Sequence, residues 1–114
     1  MRRDDAYLLD MLMAARKAVT FTEELTYAQF MQSDLHQNAV LKVLEIVGEG
    51  ASRVSESARN AYPEISWSHI IGFRNRIVHG YFEIDFAIVW KIVEEDLPPL
   101  ITQLELLVSP EPEK

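Results

Sequence analysis

A long stripe of apolar residues between positions 34 and 60 restricts the fold of this chain more than any other feature. Its members recur every three or four residues, which is the spacing of one face of an α-helix. A helix of this kind is stable when that face is buried against other elements. We therefore predict a helix over about 34–60, capped by Ser33 or Asp34, with a buried stripe of Ala39, Val40, Val43, Leu44, Val47, Ala51, Val54 and Ala58.

Two glycines, Gly48 and Gly50, interrupt this stripe. Each lowers the stability of a helix by about 1 kcal/mol relative to alanine. A helix interior keeps a glycine where another backbone comes too close for a side chain. We predict that a neighbouring helix packs closely at these two positions. A backbone approach required by a binding partner is the alternative.

Helical spacing also marks most of the remaining chain. A first helix is predicted from about Asp4 to Val19 and should be ended by Thr20-Phe21-Thr22, since β-branched and hydroxyl residues favour turns and caps. A short helical turn should follow from Thr26 to Met31. The stretch 62–65 must be a connection, because the residue before a proline disfavours helix. Ser66 should then cap a helix that ends near Val78.

The last helix should begin after Asp85. Pro98 and Pro99 cannot continue a straight helix, so a kink or a restart is expected there, with Asp96 as its cap. No convincing pair of strands is present. The predicted fold is therefore all-α, an antiparallel up-and-down bundle of four to five helices.

Composition supports one globular domain. The chain has 114 residues, of which 48 % are apolar and 25 % are charged. We expect its core over about 4–108 and a flexible tail at 109–114. The lack of cysteine excludes disulfide bonds and thiolate metal sites. No apolar run reaches membrane-spanning length, so we expect a cytoplasmic protein without a membrane partner.

The net charge of −7 argues against a broad nucleic-acid-binding surface, because phosphate binding needs a cationic footprint. It does not argue against a small, local one. The densest basic cluster consists of Arg74, Arg76 and His79. Such a cluster on an acidic body is typical of a focused anion site or of a site for a basic protein partner.

The segment from Arg74 to Tyr81 carries the candidate chemistry. Arg74 and His79 are five residues apart, about 140° around a continuous helix, and would not share a face. If the helix ends near Val78, Gly80 lets the chain turn and His79 can approach Arg74. Cleavage of RNA needs a base for the 2′-hydroxyl and a cation for the developing phosphorane charge, and this pair supplies both. The structural alternative is that Arg74 extends to solvent, His79 caps the helix and Tyr81 lies in the core.

Other polar residues are weaker candidates. His36 and His69 lack carboxylate partners at ligand spacing, so we expect no metal site. Glu45 and Glu49 share a helix face that is solvated or forms intersubunit ion pairs, or that orients Arg74 or Arg76. Arg76 is a surface arginine or a contact to an RNA phosphate. Both tryptophans, Trp67 and Trp90, are expected in the core or in a dimer interface.

The spacing Arg74-x4-His79-x-Tyr81 resembles the motif of the HepT-like proteins, a branch of the HEPN superfamily of small helical bundles. Asn75 also fits the polar residue that commonly follows the arginine. The resemblance extends over about residues 4–108, and Gly50 departs from it, where alanine is more usual. The segments that carry it are Tyr7–Asp10, Gln37–Val40, Leu44–Glu49, Pro63–Trp67, Ile70–Asn75, Asp85, Val89–Trp90 and Asp96–Pro98.

This resemblance implies a homodimer of HEPN type with two motifs facing each other across one cleft. It implies a metal-independent endoribonuclease, with Arg74 stabilising phosphate charge, His79 acting as general acid and base, and Asn75 positioning them. It also implies the toxin of a toxin–antitoxin module. The antitoxin would be a minimal nucleotidyltransferase that transfers AMP to Tyr81. RNA would be the substrate, no cofactor is expected in this chain, and ATP and Mg²⁺ are expected only at the transferase.

Two other functions remain open. The chain could be a non-catalytic helical module that binds a nucleotide or a partner, with the motif as a docking and modification site. It could also be a dimeric helical scaffold with a degenerate site. The first predicts that His79→Ala changes no RNA cleavage, and the second predicts indifference to changes at Arg74.

Overall fold

Helix α3 lies at the centre of the fold. In a computed structural model that describes residues 3–108, it packs against α1 on one side, against α5 on another and against the short α2. The helices are α1 (Asp4–Thr22), α2 (Tyr27–Met31), α3 (Asp34–Arg53), α4 (Glu56–Ala61), α5 (Trp67–His79), α6 (Phe86–Lys91) and α7 (Leu97–Leu107). A 3₁₀ turn, Tyr81–Glu83, follows α5, and a π-helical turn, Ile92–Asp96, joins α6 to α7.

The predicted all-α class is confirmed, since residues 3–108 contain helices and no strand. Four long elements form the bundle: α1, α3, α5 and the continuous run from α6 to α7. Met11 lies against Gly50, and Asp4, at the start of α1, binds Ser55 just after the end of α3, so α1 runs antiparallel to α3. Arg74 lies against Gly48, and Tyr81, just after α5, binds Asn38 near the start of α3, so α5 is antiparallel as well. The expected tail at 109–114 lies outside the described residues. No helix in the described part is long and apolar enough to cross a membrane.

The core follows the predicted stripe of α3. Val40, Val43, Leu44, Val47 and Ala51 are all buried. They form one core cluster with the buried residues of α1 and α7. A second cluster of aromatic rings joins α2 to α6, and it consists of Tyr27, Phe30, Phe86 and Trp90. Trp67 is buried as well, so both tryptophans belong to the core of the protomer.

The predicted end of the first helix at Thr20–Thr22 is wrong, because α1 continues through Thr22. The Thr22 side chain is buried, and its hydroxyl donates to the carbonyl oxygens of Ala18 at 3.2 Å and Val19 at 3.3 Å. A hydroxyl that bonds to the preceding turn of its own helix can be buried without breaking the helix.

The predicted single helix over 34–60 is also wrong at its end. Ser33 caps α3 as expected, but α3 stops at Arg53, Val54 is extended, and Ser55 caps a separate helix α4. The Asp4 carboxylate accepts hydrogen bonds from the Ser55 amide at 2.9 Å and from its hydroxyl at 2.7 Å. These bonds lower the pKa of Asp4. Val54 stays buried although it leaves the helix, which is why the apolar spacing did not reveal the break.

Other predicted boundaries are mostly confirmed. Thr26 starts α2 through reciprocal hydrogen bonds with Gln29, and the Asp85 carboxylate accepts from the Ala87 amide at 2.9 Å. The restart before the prolines is the π-helical turn. However, Ser66 and Asp96 stand at their predicted cap positions without a capping hydrogen bond from the side chain. At Asp96 the backbone stays helical, and the π turn feeds directly into α7.

Candidate active site

The site begins where α5 crosses α3 at Gly48. A Cβ atom added there would lie 2.2 Å from the Cβ of Arg74 and 3.2 Å from the carbonyl oxygen of Ile70. Real Cβ atoms do not approach other carbons so closely, so only glycine permits this crossing. The predicted close packing at Gly48 is thus confirmed. It brings the base of the Arg74 side chain directly against the backbone of α3.

Arg74 extends along α3 rather than into solvent. Its Nη2 donates to Oε1 of Glu49 at 2.7 Å, and its Nη1 donates to Oδ1 of Asn75 at 2.9 Å. Its side chain is 27 % exposed. The Nε atom is buried and has no hydrogen-bond partner among the described residues. Two neighbours therefore fix the plane of this guanidinium. One of them is Glu49, which confirms the predicted alternative that Glu49 orients Arg74.

Glu49 is itself held by two arginines. Its second oxygen, Oε2, accepts from Nε of Arg53 at 2.9 Å and lies 2.8 Å from Nη2 of that residue. The hydrogen bond to Arg53 is the main cause that lowers the pKa of Glu49, and the positive charges of Arg74 and Arg53 add to it. Partial burial opposes this shift. Glu49 is therefore an anion near neutral pH and provides a charged clamp for Arg74.

His79 is placed differently from the prediction. Helix α5 includes His79 and does not turn at Val78, because the Gly80 amide continues the helical pattern by donating to the Arg76 carbonyl at 2.8 Å. Arg74 and His79 therefore point about 140° apart around one helix. His79 is exposed and borders a groove of about 400 Å³ together with Asn75, Arg76, Gly80, Glu83 and Ile84. Asn75 contacts Arg74 and also lines this groove, so it joins the two sites.

Tyr81 lies in the 3₁₀ turn and is 43 % exposed, so it is not a core residue. Its hydroxyl donates to Oδ1 of Asn38 on α3, and Nδ2 of Asn38 donates to the Asp34 carbonyl at 2.8 Å. The adjacent Phe82 ring is almost fully exposed and stands edge-on to the Tyr81 ring at 5.4 Å. The phenol oxygen thus has a fixed position on a partly open surface.

Asn38 is a site residue that sequence reasoning did not single out. It precedes Glu49 by eleven residues, which is just over three helical turns, so both lie on the same side of α3. The alignment of Asn38, Glu45 and Glu49 along one line of α3 was the available signal. Of these, Glu45 forms no bond to Arg74 within the described residues.

Arg76 points away from Arg74, as its spacing predicts. Its guanidinium carbon lies 6.0 Å from the centre of the Phe73 ring. It borders both the His79 groove and a larger cleft lined by α5 and α7, so the two concave sites adjoin at this residue. His36 pairs with the Ser33 hydroxyl at 2.7 Å. Across residues 3–108, no group of three or more histidine or acidic residues is arranged to hold a metal ion.

Comparisons with known proteins agree on one family. A family profile described as "Ribonuclease HepT-like" matches residues 11–107. A protein of Methanocaldococcus jannaschii named "Putative RNase MJ1380" is 34 % identical over 102 residues, covering 90 % of this chain and 94 % of that protein. "Probable ribonuclease HepT" of Thermococcus cleftensis is 34 % identical over 101 residues, covering 89 % and 92 %. No solved structure gives a significant match. The chain belongs to the HepT-like ribonuclease family.

Proposed function

We propose that this protein is a metal-independent endoribonuclease that acts as the toxin of a cytoplasmic toxin–antitoxin module. The observation that carries this proposal is the arginine of the motif, held by Glu49 and Asn75 with its guanidinium fixed on the α3–α5 crossing. A cation whose geometry is set before substrate binds is what stabilisation of a phosphorane requires. Membership of the ribonuclease family supports RNA as the substrate.

The reaction needs two groups from the motif. In it, the His79 imidazole accepts the proton of a ribose 2′-hydroxyl while the 2′-oxygen attacks the adjacent phosphorus. The bond from phosphorus to the 5′-oxygen breaks, and the leaving oxygen takes up a proton from a protonated His79, which acts as the general acid. Arg74 stabilises the charge that develops on the phosphate oxygens. Products are a 2′,3′-cyclic phosphate and a 5′-hydroxyl.

The 140° between Arg74 and His79 within one protomer supports a homodimeric site. Two copies that face each other can present both residue types to one phosphate, although one copy does not. Apolar side chains near the motif are available for such an interface. These are Leu35, Ile46, Val78 and Phe82, all of which are exposed in the protomer. Exposed apolar groups of this size favour burial against a partner.

Tyr81 is the proposed acceptor of AMP from a cognate minimal nucleotidyltransferase. Its oxygen would attack the α-phosphorus of ATP bound with Mg²⁺ at the transferase, forming the phenol phosphodiester, releasing pyrophosphate and losing its proton to solvent. Partial exposure of the ring supports access, and the contact with Asn38 fixes the oxygen. The added bulk and negative charge would oppose RNA binding beside His79.

One experiment tests the proposal. Wild type, Arg74→Ala, His79→Ala and Tyr81→Phe are expressed alone and with a transferase encoded beside the gene, and growth, intact mass and RNA cleavage in EDTA are measured. We expect wild type to arrest growth and to cleave RNA in EDTA. His79→Ala should cleave at least about 100-fold more slowly. Co-expression should add one AMP to wild type and none to Tyr81→Phe.

A second candidate is favoured by the separation of Arg74 and His79 in one protomer. In this alternative, the chain is a non-catalytic module that binds a nucleotide or the transferase, and the motif is a docking and modification site. It predicts equal behaviour of wild type and His79→Ala in RNA cleavage, with AMP still transferred to Tyr81. Equal cleavage by these two proteins, with their helical content unchanged, would reject the ribonuclease mechanism.

A further inference from the structure

A second concave site lies on the opposite side of α5 from the Glu49 clamp. It is a cleft of about 740 Å³ between α5 and the segment formed by the π turn and α7, with Leu44 and Val47 of α3 at its base. Ligand sites in proteins commonly enclose about 300–1,000 Å³, mostly with apolar walls and a few polar groups. The cleft has this size and this make-up.

Gly72 lines the cleft without a side chain, which leaves the cleft open at this position. It stands in the middle of α5, and a Cβ atom added there would meet no other atom within 4 Å. Alanine would fit and would favour the helix by about 1 kcal/mol. Neither the packing of α5 nor its helical conformation therefore calls for glycine at this position. The missing side chain leaves room in the cleft, in contrast to Gly48, where the room is taken by Arg74.

The chemistry of the rim fits a nucleobase better than a phosphate. Phe73 supplies an aromatic ring and His69 an imidazole, and Gln103, whose Nε2 donates to the Glu64 carbonyl at 3.3 Å, supplies its amide oxygen and its second N–H. Asp96 and Glu64 add carboxylates, which repel a phosphate but accept hydrogen bonds from the N–H groups of a base. Proteins that read single-stranded RNA use this combination of a ring for stacking and polar groups for the base edge.

We propose that this cleft binds an unpaired base of the RNA substrate, next to the phosphate that is cleaved. The proposal rests on the function proposed above. Arg76 borders both the cleft and the His79 groove, and its guanidinium lies 6.0 Å from the Phe73 ring centre. Gly72 and His79 are about 10 Å apart along the helix axis. An RNA strand held at His79 therefore passes Arg76 and reaches the cleft with its neighbouring base.

The test measures binding apart from cleavage. In the full chain carrying His79→Ala, tetraribonucleotides of each base are titrated and the amide resonances of Phe73 and Gln103, which line the cleft, are followed by NMR. We expect both to shift. Gly72→Leu, which fills the cleft, should weaken binding about tenfold, as expected for loss of one stacked base. Gly72→Ala should weaken it less. Thr102→Leu places the same leucine side chain at an exposed position of α7 outside the cleft and should change nothing.

Two further probes show whether the base of the RNA, rather than its backbone, occupies the cleft. Free nucleosides should shift the same resonances at higher concentration, and a tetranucleotide without bases should not. Unchanged affinity in Gly72→Leu, or shifts from free nucleotides only, would overturn the proposal. So would a change of oligomeric state in Gly72→Leu, since the cleft would then be an interface between copies. If RNA cleavage depends on His79 but RNA does not shift the resonances of the cleft, the base-binding proposal is rejected and the ribonuclease proposal is kept. If RNA shifts these resonances but wild type does not cleave it, the ribonuclease mechanism is rejected instead.

Discussion

Helix α3 meets α1 through Gly50 and meets α5 through Gly48. An added Cβ at Gly50 would lie 2.7 Å from Cγ of Met11 and 3.1 Å from the carbonyl oxygen of Tyr7, so at both crossings another helix occupies the space of a side chain. The side chains that lie against the two glycines differ. On the α1 side the partner is Met11, which is fully buried in the apolar core. On the α5 side it is Arg74, whose charged end is held at the surface by Glu49.

The same device in the backbone therefore serves two purposes. At Gly50 it joins two helices through apolar contacts, and the result is stability. At Gly48 it sets the position of a cation, and the proposed result is catalysis. Substitutions at the two glycines, which are separated by one residue, should accordingly affect different measured quantities.

Gly48→Ala should have the largest effect. The new Cβ collides with the Cβ of Arg74, which cannot rotate away as the end of a long side chain could. Helix α5 must move, and a displacement of about 1 Å at a catalytic group lowers a rate about 100-fold. Cleavage of RNA by the folded variant, checked by circular dichroism, measures this. Cleavage at the rate of wild type would show that the crossing does not position Arg74.

Glu49→Gln should have the next largest effect on cleavage. The amide can still accept a bond from Arg74, but the charge that fixes the guanidinium is lost. We expect kcat to fall about tenfold and KM to stay equal or fall, because Arg74 loses a competing anion. Glu45→Gln is the matched control on the same side of α3, and it should leave both constants unchanged. A rise in KM alone would contradict a positioning role.

Gly50→Ala should leave cleavage within error of wild type and lower stability. Overpacking against Met11 and the Tyr7 carbonyl costs about 1–3 kcal/mol, and the gain in helix propensity offsets about 1 kcal/mol of this. Urea denaturation should therefore show a net loss of about 1 kcal/mol. A loss of cleavage without a loss of stability would contradict the separation of the two crossings.

Acid should produce the smallest effect. Arg53 and Arg74 hold the pKa of Glu49 below its ordinary value of 4.5. A carboxyl with a lowered folded-state pKa adds stability above its unfolded pKa and loses it as the pH falls through the folded value. The urea midpoint of wild type should therefore exceed that of Glu49→Gln at pH 7 and approach it below pH 4.5. The expected difference in the free energy of unfolding is that of an exposed ion pair, about 1 kcal/mol or less. A difference between the two urea midpoints that stays constant down to pH 3 would show that the charge on Glu49 does not contribute to stability.

Local sequence predicted the features that depend on neighbouring residues. The caps formed by Thr26 with Gln29 and by Asp85 before the last helices are of this kind. The close crossings at Gly48 and Gly50 were also predicted, because a glycine inside a helix indicates a close approach, although it does not indicate which helix approaches. The break at Val54 depends instead on Asp4, fifty residues away, which binds Ser55. No periodicity within α3 could indicate it, because Val54 stays buried on both interpretations.

The motif, too, was predicted only in part. The sequence predicted which residues belong to it, and it offered the alternative that Glu49 orients Arg74. Whether His79 turns back towards Arg74 depended on a single backbone bond, from Gly80 to Arg76, that spacing does not determine. The role of Asn38 depended on which part of α3 faces Tyr81, which only the antiparallel crossing reveals.

The crossing at Gly48 also restricts how sequences of this kind can drift. As long as Arg74 is kept, a change from glycine at position 48 is disfavoured, since any β-carbon would displace the arginine. A smaller residue in place of Arg74 does not relieve this contact, because the collision is with the Cβ at position 74, which every residue except glycine carries. We therefore expect glycine to persist at position 48 among descendants that have lost the arginine and their activity. A return to activity would then need only the arginine, because the crossing that positions it is still in place.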